Sequence, residues 1–68
     1  MTVAEAKREY NNQLERYYKA ENFFNSDIPQ EEKEKFLPDF QKLLKGLSQL
    51  LRKIGVYTHK EVMEGFDE

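Results

Sequence analysis

Cysteine and tryptophan are absent from this 68-residue sequence, and it has only three glycines and two prolines. Without cysteine there are no disulfides, no thiolate metal ligands and no cysteine nucleophile. Small secreted domains usually depend on disulfides, so we expect a protein of a reducing compartment, the cytoplasm. The shortage of glycine and proline leaves little of the chain for long loops.

Long apolar runs are missing as well. No uninterrupted apolar stretch exceeds three residues, whereas a transmembrane helix needs about 20. The first turns of the chain, from Met1 to Arg8, also lack the apolar core of a signal peptide. We therefore expect no membrane-spanning segment and no membrane partner.

The charge balance is close to even, with 11 basic and 13 acidic residues and a formal net charge of −2. The lack of a basic excess argues against nucleic acid as the default partner. Charged residues make up 35% of the sequence, but five Phe and four Tyr are more aromatic residues than a disordered chain usually has. The composition predicts one folded domain over residues 1–68.

Residues that could carry catalysis or bind a metal are few. His59 is the only histidine, and Glu61 and Glu64 lie near it in the sequence. One histidine without cysteine or a second histidine at ligand spacing is typical of a solvated residue, so we assign no metal site. We find no Ser/His/Asp set and no Gly-rich phosphate loop. The sequence therefore predicts neither an enzyme nor a cofactor.

The first predicted helix begins at Thr2. The sequence from Thr2 to Glu5 fits a capping box, in which each of these two side chains satisfies a backbone N–H of the first turn. Apolar and aromatic side chains then recur within a sector of about 80°. They are Val3, Ala6, Tyr10, Leu14, Tyr17 and Phe24. Because no glycine or proline precedes Asn25, the pattern predicts one helix of about six turns.

Two prolines determine the next predicted element. Pro29 suits the first turn of a helix, where its missing N–H costs nothing. Pro38 disfavours helical geometry at Leu37, the residue before it. We expect a break at Pro38 rather than a kink, which separates a short second helix from a long third helix that ends at Ile54.

The third predicted helix has the clearest apolar period. Its apolar side chains fill a sector of about 120°, wide enough to contact two neighbouring helices. They are Phe40, Leu43, Leu44, Leu47, Leu50, Leu51 and Ile54. Gly55 then ends the helix, and a second capping box from Thr58 to Glu61 begins a short fourth helix. We predict an all-α fold, a small antiparallel helical bundle of two long helices and two short ones.

A basic helix face supports one of two functional interpretations. Four cations lie opposite the leucines of the third helix: Lys42, Lys45, Arg52 and Lys53. The segment 47–66 is similar to a helix-turn-helix, with Gly55 near the turn. Its second helix offers His59, Lys60, Glu61 and Glu64. Two carboxylates would then face phosphates, so a small DNA-associated regulator with a degenerate helix-turn-helix is the alternative, and nucleic acid is not the favoured partner.

Aromatic side chains on the first helix support the favoured interpretation. They are Tyr10, Tyr17, Tyr18, Phe23 and Phe24. Either these rings surround the core, with Tyr hydroxyls reaching water, or some of them form a protein-binding face, where Tyr and Phe are enriched. A first helix of about 33 Å against a third helix of about 26 Å would leave about one turn uncovered, which favours exposure.

We therefore predict a small, non-enzymatic protein–protein interaction module, either a homodimer or an accessory subunit. Tyr10, Tyr17 and Phe24 are the predicted centre of its interaction face. Tyr18 and Phe23 lie at the edge, because Phe23 points about 100° away from Phe24. Residues 55–66 resemble small proteins of bacterial and phage genomes, and this resemblance implies no function.

Overall fold

Three helices form in residues 1–67, the part of the chain that the computed structural model describes. They are α1 (Val3–Asn25), α2 (Gln30–Ile54) and α3 (His59–Glu64). The two long helices, of 23 and 25 residues, pack against each other as an antiparallel hairpin. The short α3 lies against the open end of this hairpin, where α1 begins and α2 ends. The predicted all-α class and the pair of long antiparallel helices are confirmed.

The predicted break at Pro38 is wrong, because α2 continues through this residue. Glu34 and Pro38 are exposed, so the carbonyl oxygen of Glu34, which loses its N–H donor to proline, can bind water instead. The turns before Pro38 are also held by tertiary contacts, since the Phe36 ring packs on Phe23 and Phe24 of α1. Packing therefore overrides the local preference, and the bundle has one short helix instead of two.

The helix ends follow the sequence signals closely. The Thr2 hydroxyl accepts a hydrogen bond from the backbone N–H of Glu5 at 3.1 Å. Thr58 and Glu61 form the complete capping box, with each side chain bound to the other residue's backbone N–H at 3.2 and 2.9 Å. Gly55 has a φ of +84°, a left-handed conformation that glycine adopts without strain, and it ends α2 as predicted.

The buried core lies at the open end of the hairpin. It is formed by one stripe on each long helix and by one aromatic residue that follows α3. Its members are Ala6, Tyr10, Leu14, Leu47, Leu50, Ile54 and Phe66. Tyr17, Tyr18 and Leu51 pack against this cluster and are only partly buried. The core therefore lies where α1, α2 and the segment around Phe66 meet. In the other half of the hairpin, α1 and α2 pack against each other without a third segment from residues 1–67.

Leu47→Ala should destabilise the fold strongly. Leu47 is 7% exposed at the centre of the core, and large-to-small changes at such sites cost about 2–5 kcal/mol. Leu44→Ala is the matched control, because Leu44 is 44% exposed and truncation there should cost about 1 kcal/mol or less. Urea unfolding of both variants at low micromolar concentration measures the difference. Equal stability of the two variants would contradict the position of the core.

Pro38→Ala should stabilise the protein. Within a helix, proline is less favourable than alanine by about 3 kcal/mol, so an increase in unfolding free energy up to that size is expected. Pro29→Ala is the control, because Pro29 precedes the first residue of α2 and no helical hydrogen bond is missing there. Thermal unfolding by circular dichroism distinguishes the two. A Pro38→Ala variant no more stable than wild type would show that α2 does not run through this residue in solution.

Candidate functional site

Tyr10 lies inside the core and not on an interaction face. Its side chain is 2% exposed, and its ring meets Phe66 edge-on at a centroid distance of 5.3 Å. The Tyr10 hydroxyl donates a hydrogen bond to the backbone carbonyl of Val62 at 2.6 Å. Placing Tyr10 at the centre of an exposed face is therefore wrong, because the residues of α3 and the segment after it fold back over this ring.

The remaining rings of α1 also have partners within the chain. Tyr17 stacks on Phe40 at 5.2 Å, with the ring planes 12° apart. Phe23 and Phe24 both contact Phe36, at 5.1 and 5.8 Å. The expectation that Phe23 points away to an edge is corrected, since Phe36 of α2 reaches both neighbouring rings. These half-buried aromatics fill the half of the hairpin next to the α1–α2 connection, where no third helix covers the seam.

Tyr18 binds α3 to α1. Its hydroxyl donates a short hydrogen bond to the backbone carbonyl of Met63, and its ring lies edge-on to Tyr17 at 5.5 Å. Together with the bond from Tyr10 to Val62, this contact attaches the final turn of α3 to the side of α1. Tyr18 therefore positions α3 and is only partly available to a partner.

The length difference between the long helices does not exist. Because α2 runs from Gln30 to Ile54, its 25 residues match the 23 residues of α1. The first helix is therefore not the longer of the two. An exposed surface must therefore be sought along the sides of the hairpin and not at one end of α1.

Asn11 holds the residues that follow α3. Its side-chain amide donates to the backbone carbonyl of Phe66 at 2.7 Å, and its side-chain oxygen accepts from the N–H of the same residue at 2.6 Å. Gly65 has a φ of +96°, and a Cβ atom there would lie 2.7 Å from the Asn11 oxygen. The ammonium group of Lys7 lies 5.6 Å from the centre of the Phe66 ring. Sequence reasoning missed Asn11, because a lone polar residue beside the apolar sector carries no signal of a partner 55 residues away.

A shallow apolar surface remains uncovered on the side of the hairpin next to α3. A hollow of about 300 Å³ opens between the three helices, lined by Tyr17, Tyr18, Leu44, Leu51 and Met63 among others. Leu44 and Met63 are 44% and 48% exposed there. A second hollow of about 340 Å³ lies nearer the α1–α2 connection and includes Leu37, which is 45% exposed.

Three leucines connect these two hollows. Leu37, Leu44 and Leu51 are spaced by seven residues, so successive members differ by only about 20° around α2. We refer to these leucines, with Tyr17, Tyr18 and Met63, as the open face. It includes two of the predicted interaction residues, Tyr17 and Tyr18. Two of its leucines, Leu44 and Leu51, belong to the apolar sector that the sequence predicted for this helix. Their exposure could not be read from the sequence, because it depends on how little of α2 the third helix covers.

The open face is apolar at its centre and charged at its borders. Burial raises the pKa of the Tyr17 phenol, and a hydrogen bond with Glu21 and the charge of that carboxylate raise it further. The pKa of the Tyr10 phenol is raised as well, first by burial and then by the neighbouring Tyr18 and Tyr57. Both phenols are therefore neutral near neutral pH. Glu34 and Lys45 are exposed along α2 beside the leucines.

The residues of the DNA-binding alternative, apart from Lys45 at the border of the open face, occupy other surfaces. Lys42, Lys45, Arg52 and Lys53 are all exposed on α2. The helix that would enter a DNA groove, α3, has six residues, of which His59, Lys60 and Glu64 are exposed. Within residues 1–67, no three His, Asp or Glu side chains are grouped so that they could hold a metal ion. No helix in the same range is long and apolar enough to cross a bilayer.

Comparison with known proteins identifies no relative: no protein-family model, curated protein or solved structure matches this chain. The open face includes side chains of all three helices. What it can do follows from its own geometry and chemistry.

Asn11→Ala should release the residues that follow α3. The change removes both hydrogen bonds to Phe66, so its backbone N–H should exchange with solvent faster, while the hairpin stays helical. Asn12→Ala is the matched control, because Asn12 is exposed and adjacent. Amide hydrogen exchange by NMR measures the effect. Unchanged protection of the Phe66 amide in Asn11→Ala would contradict the described contact.

Proposed function

We propose that this protein is a protein–protein interaction module that acts through the open face, with a second copy of the same chain as its partner. The observation that carries the proposal is the row of leucines at heptad spacing on α2, two of which are nearly half exposed. A stripe that repeats every seven residues is the pattern with which helices pack on other helices. In this chain α1 covers one side of the α2 stripe and leaves the other side open.

The size of the open face suits an interface. Monomeric proteins rarely expose contiguous apolar patches larger than a few hundred Å². A standard interface buries about 800 Å² on each partner, which is about 15% of the 5295 Å² surface of this chain. One side of a hairpin whose helices are 23 and 25 residues long is large enough to supply that area.

The shape of the face favours a helix as the bound element. The hollow between α1, α2 and α3 is open at the surface, and side chains of all three helices line it. A helix that places its own apolar stripe there completes a bundle of the usual kind. A second copy of this chain carries such a helix, since its α2 has the same exposed leucines.

Leu44→Glu should abolish self-association. A carboxylate at the centre of the face would have to lose its water when the interface forms, which costs several kcal/mol. Leu44 is already 44% exposed, so the monomer should remain helical. Asn12→Glu adds the same charge at an exposed site on α1 and should associate like wild type. Sedimentation equilibrium of wild type and both variants at about 10–500 µM, the range that weak interfaces require, measures their self-association.

Two results would contradict the proposal. A wild-type chain that stays monomeric throughout that range would reject the second copy as the partner. A Leu44→Glu variant that associates like wild type would reject the open face as the surface involved.

If the chain instead bound duplex DNA, binding should depend on the exposed cations of α2 and fall steeply with salt.

A further inference from the structure

The exposed border of α2 carries a charge pattern that the proposed self-association does not by itself require. Glu34 precedes the first exposed leucine, Leu37, and Lys45 follows the second, Leu44. Glu34 and Lys45 are 11 residues apart, so at about 100° per residue their directions differ by only about 20°. The two charges therefore flank the two leucines on one side of the same helix, with Gln41 between them.

From this pattern we infer that the second copy packs antiparallel, α2 against α2, with Glu34 of each copy beside Lys45 of the other. This inference rests on the proposed function and specifies its geometry. When Leu37 faces Leu44 of the second copy, Glu34 and its opposing Lys45 are offset by two residues, or about 3 Å along the axis. Both side chains are long enough to close that distance. A parallel two-fold pair would instead place Glu34 and Lys45 of the two copies on opposite edges of the contact, so neither charge would meet its counterpart.

The position of α3 leaves this side of α2 accessible. The hydrogen bonds that hold α3 and the following residues all begin on α1, from the side chains of Tyr10, Asn11 and Tyr18. The short helix therefore lies over α1. Leu44, which lines the hollow next to α3, and Leu37, which lies nearer the α1–α2 connection, remain 44% and 45% exposed. An α2–α2 contact would bury these two side chains.

Charge reversal gives a direct test, since the two ends of the pattern can be changed separately. In a homodimer of Glu34→Lys, the introduced lysine of each copy faces Lys45 of the other copy. In a homodimer of Lys45→Glu, the introduced glutamate of each copy faces Glu34 of the other copy. Each variant alone should self-associate at least roughly tenfold more weakly than wild type at low salt. An equimolar mixture restores opposite charges at both ends, so it should associate within about threefold of wild type. The double variant Glu34→Lys/Lys45→Glu should recover in the same way.

Lys42→Glu is the matched control. Lys42 is also exposed on α2 and undergoes the same charge change as Lys45, but it points about 60° further from the leucines. It should leave self-association within about twofold of wild type. Circular dichroism of each variant checks that the monomer is folded, and analytical ultracentrifugation of single variants and mixtures measures the association. The differences should shrink in about 1 M salt, where the Debye length is about 3 Å.

The outcomes distinguish this inferred geometry from the proposed self-association through the open face. If wild type associates and Leu44→Glu does not, but both charge variants associate normally, the open face stands and the antiparallel arrangement is overturned. The same conclusion follows if the mixture associates no better than the single variants. If wild type is monomeric, both the proposed function and the inferred geometry fail.

Discussion

Two helices bury only the stripe along which they meet, and this constraint shapes the whole molecule. Residues 1–67 contain one further helix, α3, and its six residues can cover only one end of one side of the hairpin. The buried core cluster therefore lies at that end, where Phe66 completes it, and Ala20 is buried outside this cluster. Large rings fill the opposite half, where Tyr17 and Phe24 both pack on Phe40. The leucines on the side of α2 are left exposed for the same reason.

Local signals in the sequence predicted the local structure well. Thr2, Thr58 and Gly55 mark helix ends because capping and left-handed geometry depend on neighbouring backbone groups alone. The apolar period from Phe40 to Ile54 also predicted the long apolar stripe on α2. Pro38 misled the prediction, because its local preference for a break is opposed by contacts of Phe36 with α1, which a single sequence does not show.

The candidate site was harder to predict, because it depends on long-range contacts. Tyr10 and Phe66 are far apart in the sequence, and only their contact shows that Tyr10 belongs to the core. Asn11 gives no sign in the sequence that it binds the backbone of Phe66. Of the five predicted aromatic residues, Tyr17 and Tyr18 border the open face. Its exposed leucines, Leu37 and Leu44, belong to the helix that was expected to be covered.

The most direct measurement is an isotope-filtered nuclear Overhauser experiment on a sample that mixes leucine-methyl-labelled and unlabelled chains. Within one chain, Leu37 and Leu44 are separated by about 10.5 Å along the α2 axis, too far for a strong methyl–methyl signal. We expect intermolecular cross-peaks between Leu37 methyls of one copy and Leu44 methyls of the other. Cross-peaks that instead join Leu44 to Leu44 and Leu37 to Leu37, or an associated protein with no cross-peaks from these leucines, would contradict this arrangement.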